Sequence, residues 1–293
     1  MSKHLLGVAV IAVLVAGCGE DSHRAASPTT AKADMAAHAA EPVTFVMCGV
    51  SATDGASDLY ATRDGVVIRH LISRQRLASI SAREDTAVVV TAGRLGINRL
   101  TRVSVAADGA VARRTLPSDR DMTGGVRLSR DGRWLAYVTV VSGKDGALQD
   151  QAVTVRADGG GPARKSRPVH AIADLDFDVH DRLHLLTQVA GAGSRIVTAG
   201  VKDQRLRQRA YVIRYGDGGR LAMSGPGWAE VRDAKGRVLA RRRGIVVNGW
   251  ARSGSDVLVL RLSDGRFGFW NWKTNGLRMW PRLPCAVPYY AEQ

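Results

Sequence analysis

A polar turn that recurs along the chain, each time followed by a short apolar run, constrains the fold more than any other feature. Asp-Gly dipeptides stand at Asp64-Gly65, Asp108-Gly109, Asp131-Gly132, Asp145-Gly146, Asp158-Gly159, Asp217-Gly218 and Asp264-Gly265. Asp-Gly suits tight hairpins, because both central positions of a type I′ turn need positive φ. Between the turns lie β-rich runs such as Ala87–Thr91, Trp134–Thr139, Ala152–Arg156 and Asp256–Arg261. Beyond the first eighteen residues apolar side chains rarely recur at three-and-four spacing, and glycine interrupts most windows, so no helix is expected. The chain reads as all-β.

The turns near 85, 131, 181, 218 and 255 behave as equivalents. Their spacing of roughly 35–50 residues is that of a four-stranded propeller blade. One such antiparallel unit cannot bury both its faces, so several must stack around an axis. Including Thr44–His70, the pattern predicts a single β-propeller over residues 43–290. It has about six blades, with a seventh admitted if one unit is eroded. Propellers commonly close by pairing strands from the two chain ends within one blade, and closure of that kind is expected here.

The segment Ser129-Arg-Asp-Gly-Arg-Trp-Leu-Ala-Tyr137, followed by Val153-Thr-Val-Arg-Ala-Asp-Gly-Gly-Gly-Pro162, resembles the WD40-like repeat of TolB-type β-propellers. That repeat reads Ser-Pro-Asp-Gly, two residues, an apolar strand, and later a strand ending in Asp-Gly-Gly. Arg130 stands in place of the proline, and the other copies are degenerate. The resemblance implies architecture and no activity. TolB itself carries a further α/β domain, for which the residues before the first strand leave no room.

The N-terminus points to export. Met1-Ser-Lys-His4 is basic, Leu5–Val15 is apolar, and Val15-Ala16-Gly17-Cys18 follows. About eleven apolar residues fall well short of the roughly 20 that span a bilayer, so residues 1–17 read as a signal peptide. Val15–Cys18 resembles the bacterial lipobox, which implies diacylation of Cys18 and a lipid-anchored protein on the extracytoplasmic side of the cell membrane. Residues 18–42 are rich in Ala, Ser, Thr and charge and form a flexible linker. Cys48 and Cys285 then remain as a pair in an oxidising compartment, near the two ends of the folded region, and a disulfide between them is expected. In the chain-entropy model so long a loop contributes about 5 kcal/mol.

The formal charge of +15 is carried mainly by arginine. It fits a solvated surface or contact with anionic surroundings such as lipid headgroups or acidic cell-wall polymers. Arg164-Lys165-Arg167, Arg205-Arg207-Arg209 and Arg241–Arg243 are the dense clusters. Nucleic acid is not an expected partner of an exported chain.

Candidate chemistry is sparse. No Gly-x-Ser-x-Gly elbow is present, which argues against a serine hydrolase. Asp176, Asp178, His180 and His184, with His170 and Asp174 nearby, are weak metal-ligand candidates. Asp181-Arg182 reads as a hairpin turn that breaks their register, and the spacing matches no zinc or calcium loop. The alternative is polar residues facing solvent on an outer strand and turn. Trp228, Trp250, Trp270 and Trp272 could stack on sugar rings of a glycan or on another small ligand at the channel mouth, or could pack between blades. No cofactor is expected. The sequence favours a non-catalytic protein- or cell-envelope-binding module over its alternative, a metal-assisted hydrolase of lactonase or esterase type. An inward ring of carboxylates would favour the hydrolase, and an arginine-lined channel would favour binding.

Overall fold

The computed structural model describes residues 43–49, 56–63, 66–93, 97–119, 121–143, 145–189, 193–250, 256–262, 267–279 and 288–290. Residues 1–42, which carry the expected signal peptide, Cys18 and the expected linker, and Cys285 lie outside the described residues. Those described form six four-stranded antiparallel sheets. They include no α-helix, only a 3-10 turn over Asp217–Gly219, and so no helix long and apolar enough to cross a membrane.

Strands β1 (Thr44–Gly49), β2 (Ser57–Arg63) and β3 (Val66–Gln75) open the chain. Blade 2 is β4 (Leu77–Arg83), β5 (Thr86–Ala92), β6 (Asn98–Val105) and β7 (Val111–Leu116). Blade 3 is β8 (Met122–Leu128), β9 (Trp134–Ser142), β10 (Leu148–Arg156) and β11 (Arg164–Lys165). Blade 4 is β12 (Ile172–Phe177), β13 (Leu183–Val189), β14 (Gly193–Thr198) and β15 (Gln204–Leu206). Blade 5 is β16 (Val212–Tyr215), β17 (Leu221–Gly225), β18 (Trp228–Arg232) and β19 (Val238–Arg243). Blade 6 is β20 (Ile245–Trp250), β21 (Val257–Leu262), β22 (Phe267–Asn271) and β23 (Gly276–Met279). Last comes β24 (Pro288–Tyr290), which pairs with β1 and completes blade 1. The ring therefore has six blades, closed by strands from both ends of the chain.

Each turn near 85, 131, 181 and 218 joins the first strand of a blade to its second, and the turn expected near 255 lies outside the described residues, between β20 and β21. Those first strands, β4, β8, β12, β16 and β20, pack against one another around the axis. The second strands are almost wholly buried, as in β9 and β17, because both sheet faces meet a neighbouring blade. That is why they read as unbroken apolar runs rather than alternating ones. Successive side chains point to opposite faces and so feed different cores. Ala87 and Val89 pack toward blade 1, while Val88 and Val90 pack toward blade 3. Leu135 and Tyr137 join the same blade 2–3 core, whereas Ala136 and Val138 pack with Phe177 and Leu185 of blade 4. Outer strands such as β7 and β19 are mostly exposed.

Candidate functional site

The inner strands explain the alternate polar residues of the sequence. Ser79 Oγ accepts the Val126 amide at 3.2 Å, and Ser81 Oγ accepts that of Leu128 at 2.9 Å. Two blades on, Asp174 Oδ2 accepts the Ile213 amide at 3.0 Å, and Asp176 Oδ2 accepts that of Tyr215 at 2.6 Å. Alternate side chains of one inner strand thus bind the backbone of the next blade's inner strand. Where the acceptor is aspartate, arginine supplies the counter-charge. Asp174 is paired with Arg127 Nη2 at 3.1 Å and with Arg214 Nη1. Arg214 also donates to the Asn248 carbonyl at 2.7 Å, and its burial, partly offset by Asp174 and Asp176, lowers its pKa to about 10. Burial pushes the Asp176 carboxyl above the ordinary carboxylate range, against the pull of Arg83, Arg214 and Arg127.

The Ser-x-Asp-Gly segment is a self-bonded turn. Ser129 Oγ donates to Asp131 Oδ1 at 2.6 Å and accepts the Trp134 amide at 2.9 Å, with Gly132 at φ +67°. In blade 4 Asp178 takes the place of Ser129. Its Oδ1 accepts the amides of His180 (2.8 Å) and Arg182 (3.0 Å), and its Oδ2 lies 2.7 Å from Arg182 Nη2 and 3.2 Å from His184 Nε2. Burial alone would raise the Asp178 pKa, but hydrogen bonds from the Arg182 amide and guanidinium, His184 and the His180 amide hold it at about 2. His184 Nδ1 sits 2.6 Å from Thr198 Oγ1 and 3.2 Å from the Tyr215 hydroxyl, and its ring stacks on Tyr215 with centroids 4.2 Å apart. Burial lowers its pKa, so the imidazole is neutral near pH 7. Both of its nitrogens face polar partners within the protein, so it is built to hold the blade 4–5 junction.

Two clefts flank blade 4. The larger, about 1050 Å³, opens between blades 3 and 4. Phe177, Leu183, Leu185, Val197 and Val201 give it an apolar wall, and Arg164, Lys165, Arg167 and Arg195 line its rim. It exists because β10 has nine residues and its outer neighbour β11 only two. The Arg164 guanidinium lies 4.7 Å from the Trp134 ring centroid, and Val201 is 53% exposed. The second cleft, about 690 Å³, lies between blades 4 and 5 and is lined by Asp178, His184, Tyr215, Arg182 and Lys235 among others. A smaller recess of about 300 Å³ adjoins it, with Arg232 and Gly236 common to both.

No family model matches the chain, and no curated protein matches it. Solved structures do. TolB from Acinetobacter baumannii is 12% identical, with 87% of this chain and 68% of that one covered at a TM-score of 0.58. A TolB candidate from Agrobacterium tumefaciens is 11% identical, with 83% and 89% covered and a TM-score of 0.55. A protein of unknown function from Bacteroides caccae is 9% identical, with 86% and 97% covered and a TM-score of 0.52. The chain folds as a TolB-like β-propeller. At these identities the likeness concerns the fold alone.

The TolB-like propeller corrects several site expectations. Asp174 and Asp176 sit on an innermost strand, not an outer solvent-facing one: Asp174 is tied to two arginines and an amide, and Asp176 to the Tyr215 amide through Oδ2. Asp178 is a turn residue and His180 is exposed, so of Asp176, Asp178, His180 and His184 the structure brings together the side chains of Asp178 and His184. Among the described residues no three His, Cys, Asp or Glu side chains gather into a metal-binding group. Trp250 is buried, donates Nε1 to the Arg214 carbonyl at 3.2 Å, and presses on Gly216, where a Cβ would lie 2.5–2.9 Å from its ring. Trp270 is fully buried and bonds Asn275 Oδ1 at 3.0 Å. Neither can stack on a sugar. Trp228 and Trp272 are half-buried, and Trp272 has Arg220 and Lys273 each 5.6 Å from its ring centroid. Sequence reasoning passed over Arg127 and Arg214. Their signal was positional: with Asp176 they stand two residues before the turn residues Ser129, Gly216 and Asp178.

Proposed function

We propose that this propeller is a non-catalytic binding module that takes an extended, acidic and aliphatic segment of a partner protein in the cleft between blades 3 and 4. The cleft carries the proposal: an apolar wall under a rim of Arg164, Lys165, Arg167 and Arg195, against which only Asp181 and Asp203 are acidic. Asp203 is itself engaged by Arg195 at 3.1 Å. The truncated strand β11 leaves room for a strand-like occupant, whose alternate side chains would face the apolar wall and the basic rim. Binding is favoured over hydrolysis because Asp174 is spent on Arg127, Arg214 and the Ile213 amide, and Asp176 holds the Tyr215 amide.

The setting we propose is extracytoplasmic, with the chain held to the membrane by lipid on Cys18 through the linker. A Cys48–Cys285 bond would lock the closing blade. Cys48 is buried opposite Pro288 on β24, and Cys285 precedes that proline by three residues. Cys18→Ala should release the protein from membranes, and unchanged fractionation would remove the anchor. Non-reducing peptide mapping should recover Cys48 joined to Cys285.

The binding reading is tested by photo-crosslinking from position 201 of the full-length protein in its native envelope. One protein should be captured from position 201, not from exposed Leu239 on blade 5. Capture should be lost in Arg164→Glu/Arg167→Glu. Capture that ignores the charge reversal would overturn the cleft assignment.

A further inference from the structure

The recess between the outer parts of blades 4 and 5 is a concentration of positive charge built around one buried anion. Arg205 and Arg207 enter it from the end of blade 4, Arg232 and Arg241 from β18 and β19, and Trp228 forms part of its wall. Glu230 is 0% exposed. Its Oε1 accepts from Arg232 Nε at 2.7 Å, and its Oε2 accepts from Arg241 Nε at 3.1 Å and Nη2 at 2.6 Å. Among the described residues no acidic side chain pairs with Arg205 or Arg207. Four arginines therefore line a space of about 300 Å³ whose one lining carboxylate among the described residues, Glu230, is bonded by two of them.

Like charges brought this close repel unless something anionic is supplied. The buried glutamate also does more than neutralise. It fixes two guanidiniums by part of their donor set and leaves further N–H groups of each for another acceptor. Arg205 and Arg207 flank buried Leu206 and reach the recess together, as alternate residues of an extended chain do. The excess charge asks for a compact head bearing about two negative charges and several acceptor oxygens, which describes a phosphate monoester near pH 7. Trp228, apolar and half-buried, supplies a surface for the rest of such a molecule.

We propose that this recess binds a small phosphorylated ligand, its phosphate among Arg205, Arg207, Arg232 and Arg241 and its cyclic or aromatic part against Trp228. The site lies on the other side of blade 4 from the partner cleft, and neither assignment depends on the other.

Phenyl phosphate is the probe, titrated calorimetrically into the full-length protein, with inorganic phosphate and phenol as comparators. Saturable one-to-one binding is expected, with phenyl phosphate about tenfold or more tighter than either comparator, as two anchoring groups require. Arg205→Gln/Arg207→Gln, at exposed positions, should weaken binding about tenfold or more without shifting the melting temperature. Arg243→Gln, exposed on β19 but outside the recess, should bind normally. Trp228→Phe should remove the change in tryptophan fluorescence. Affinity should fall from pH 7 to pH 5 as the phosphate dianion takes up one proton, at about pH 6, and becomes a monoanion. Absence of saturable binding, an equal loss in Arg243→Gln, or unchanged affinity in Arg205→Gln/Arg207→Gln would overturn the site.

Discussion

If the carboxylates at the axis hold blades together and perform no chemistry, removing one should cost stability in a way its neighbours predict. Asp174 is the sharpest case. It shares one carboxylate between Arg127 and Arg214, with the three side chains only 7–10% exposed, and it also receives the Ile213 amide. Asp174→Ala leaves two buried guanidiniums without their common anion, and breaking a buried pair from one side costs about 3–5 kcal/mol. The lost amide acceptor overlaps with that figure, so about 4 kcal/mol is the working value. For a domain of this size each kcal/mol moves the melting temperature by roughly 2–4 °C, so a fall of about 8–16 °C is expected by calorimetry. Combining Asp174→Leu with Arg127→Met and Arg214→Met should recover part of the loss, because the three paired charges go together while buried Asp176 keeps Arg83 as its counter-charge. A fall of less than about 2 °C in Asp174→Ala would refute the reasoning and reopen the axis as a reactive site.

Three further outcomes follow from local geometry. Gly216→Ala should cost about 1–3 kcal/mol through collision with Trp250, visible as a changed near-ultraviolet dichroism of the tryptophans; an unchanged spectrum and melting curve would show that the ring can yield. Gly132→Ala, at φ +67° with open space around its Cβ position, should lose only about 1 kcal/mol, from backbone conformation alone. The Asp178 carboxyl titrates at about 2 when folded and near 3.9 when unfolded. Its contribution is therefore complete above about pH 4 and lost as pH falls toward 2. Asp178→Asn should flatten the melting temperature against pH within that window, and parallel curves for variant and parent would refute the assignment.

The ring was legible in the sequence because its cause is local. Ser129, Asp131 and Gly132 make a turn whose bonds close within six residues, and Val88–Val90 is apolar throughout because both of its faces are covered. The site was less legible because its bonds close at long range. Asp174 and Asp176 look like spaced ligands until Ile213 and Tyr215 are brought alongside. The same relation between Ser79, Ser81 and Val126, Leu128 is invisible until the blade spacing is known. Trp250, beside Gly249, fits either ligand stacking or packing from sequence alone, and what receives it is Gly216, far upstream. The clefts had no signature in composition, since they depend on how many residues of an outer strand stay paired.

That dependence explains why the proposed binding surfaces gather at blade 4. Polar stitching runs between innermost strands, and apolar packing centres on the second strands, so the outermost strand contributes least to keeping the ring closed. Its length is free to vary: β3 has ten residues, β7 and β19 six each, but β11 two and β15 three. Where β11 falls short, the apolar wall of the next blade is uncovered and the larger cleft appears. Where β15 ends at Leu206, Arg205 and Arg207 line the recess that also holds Glu230. A propeller can therefore acquire clefts by shortening outer strands, without touching the residues that hold it together, and in this chain such clefts flank blade 4 on both sides.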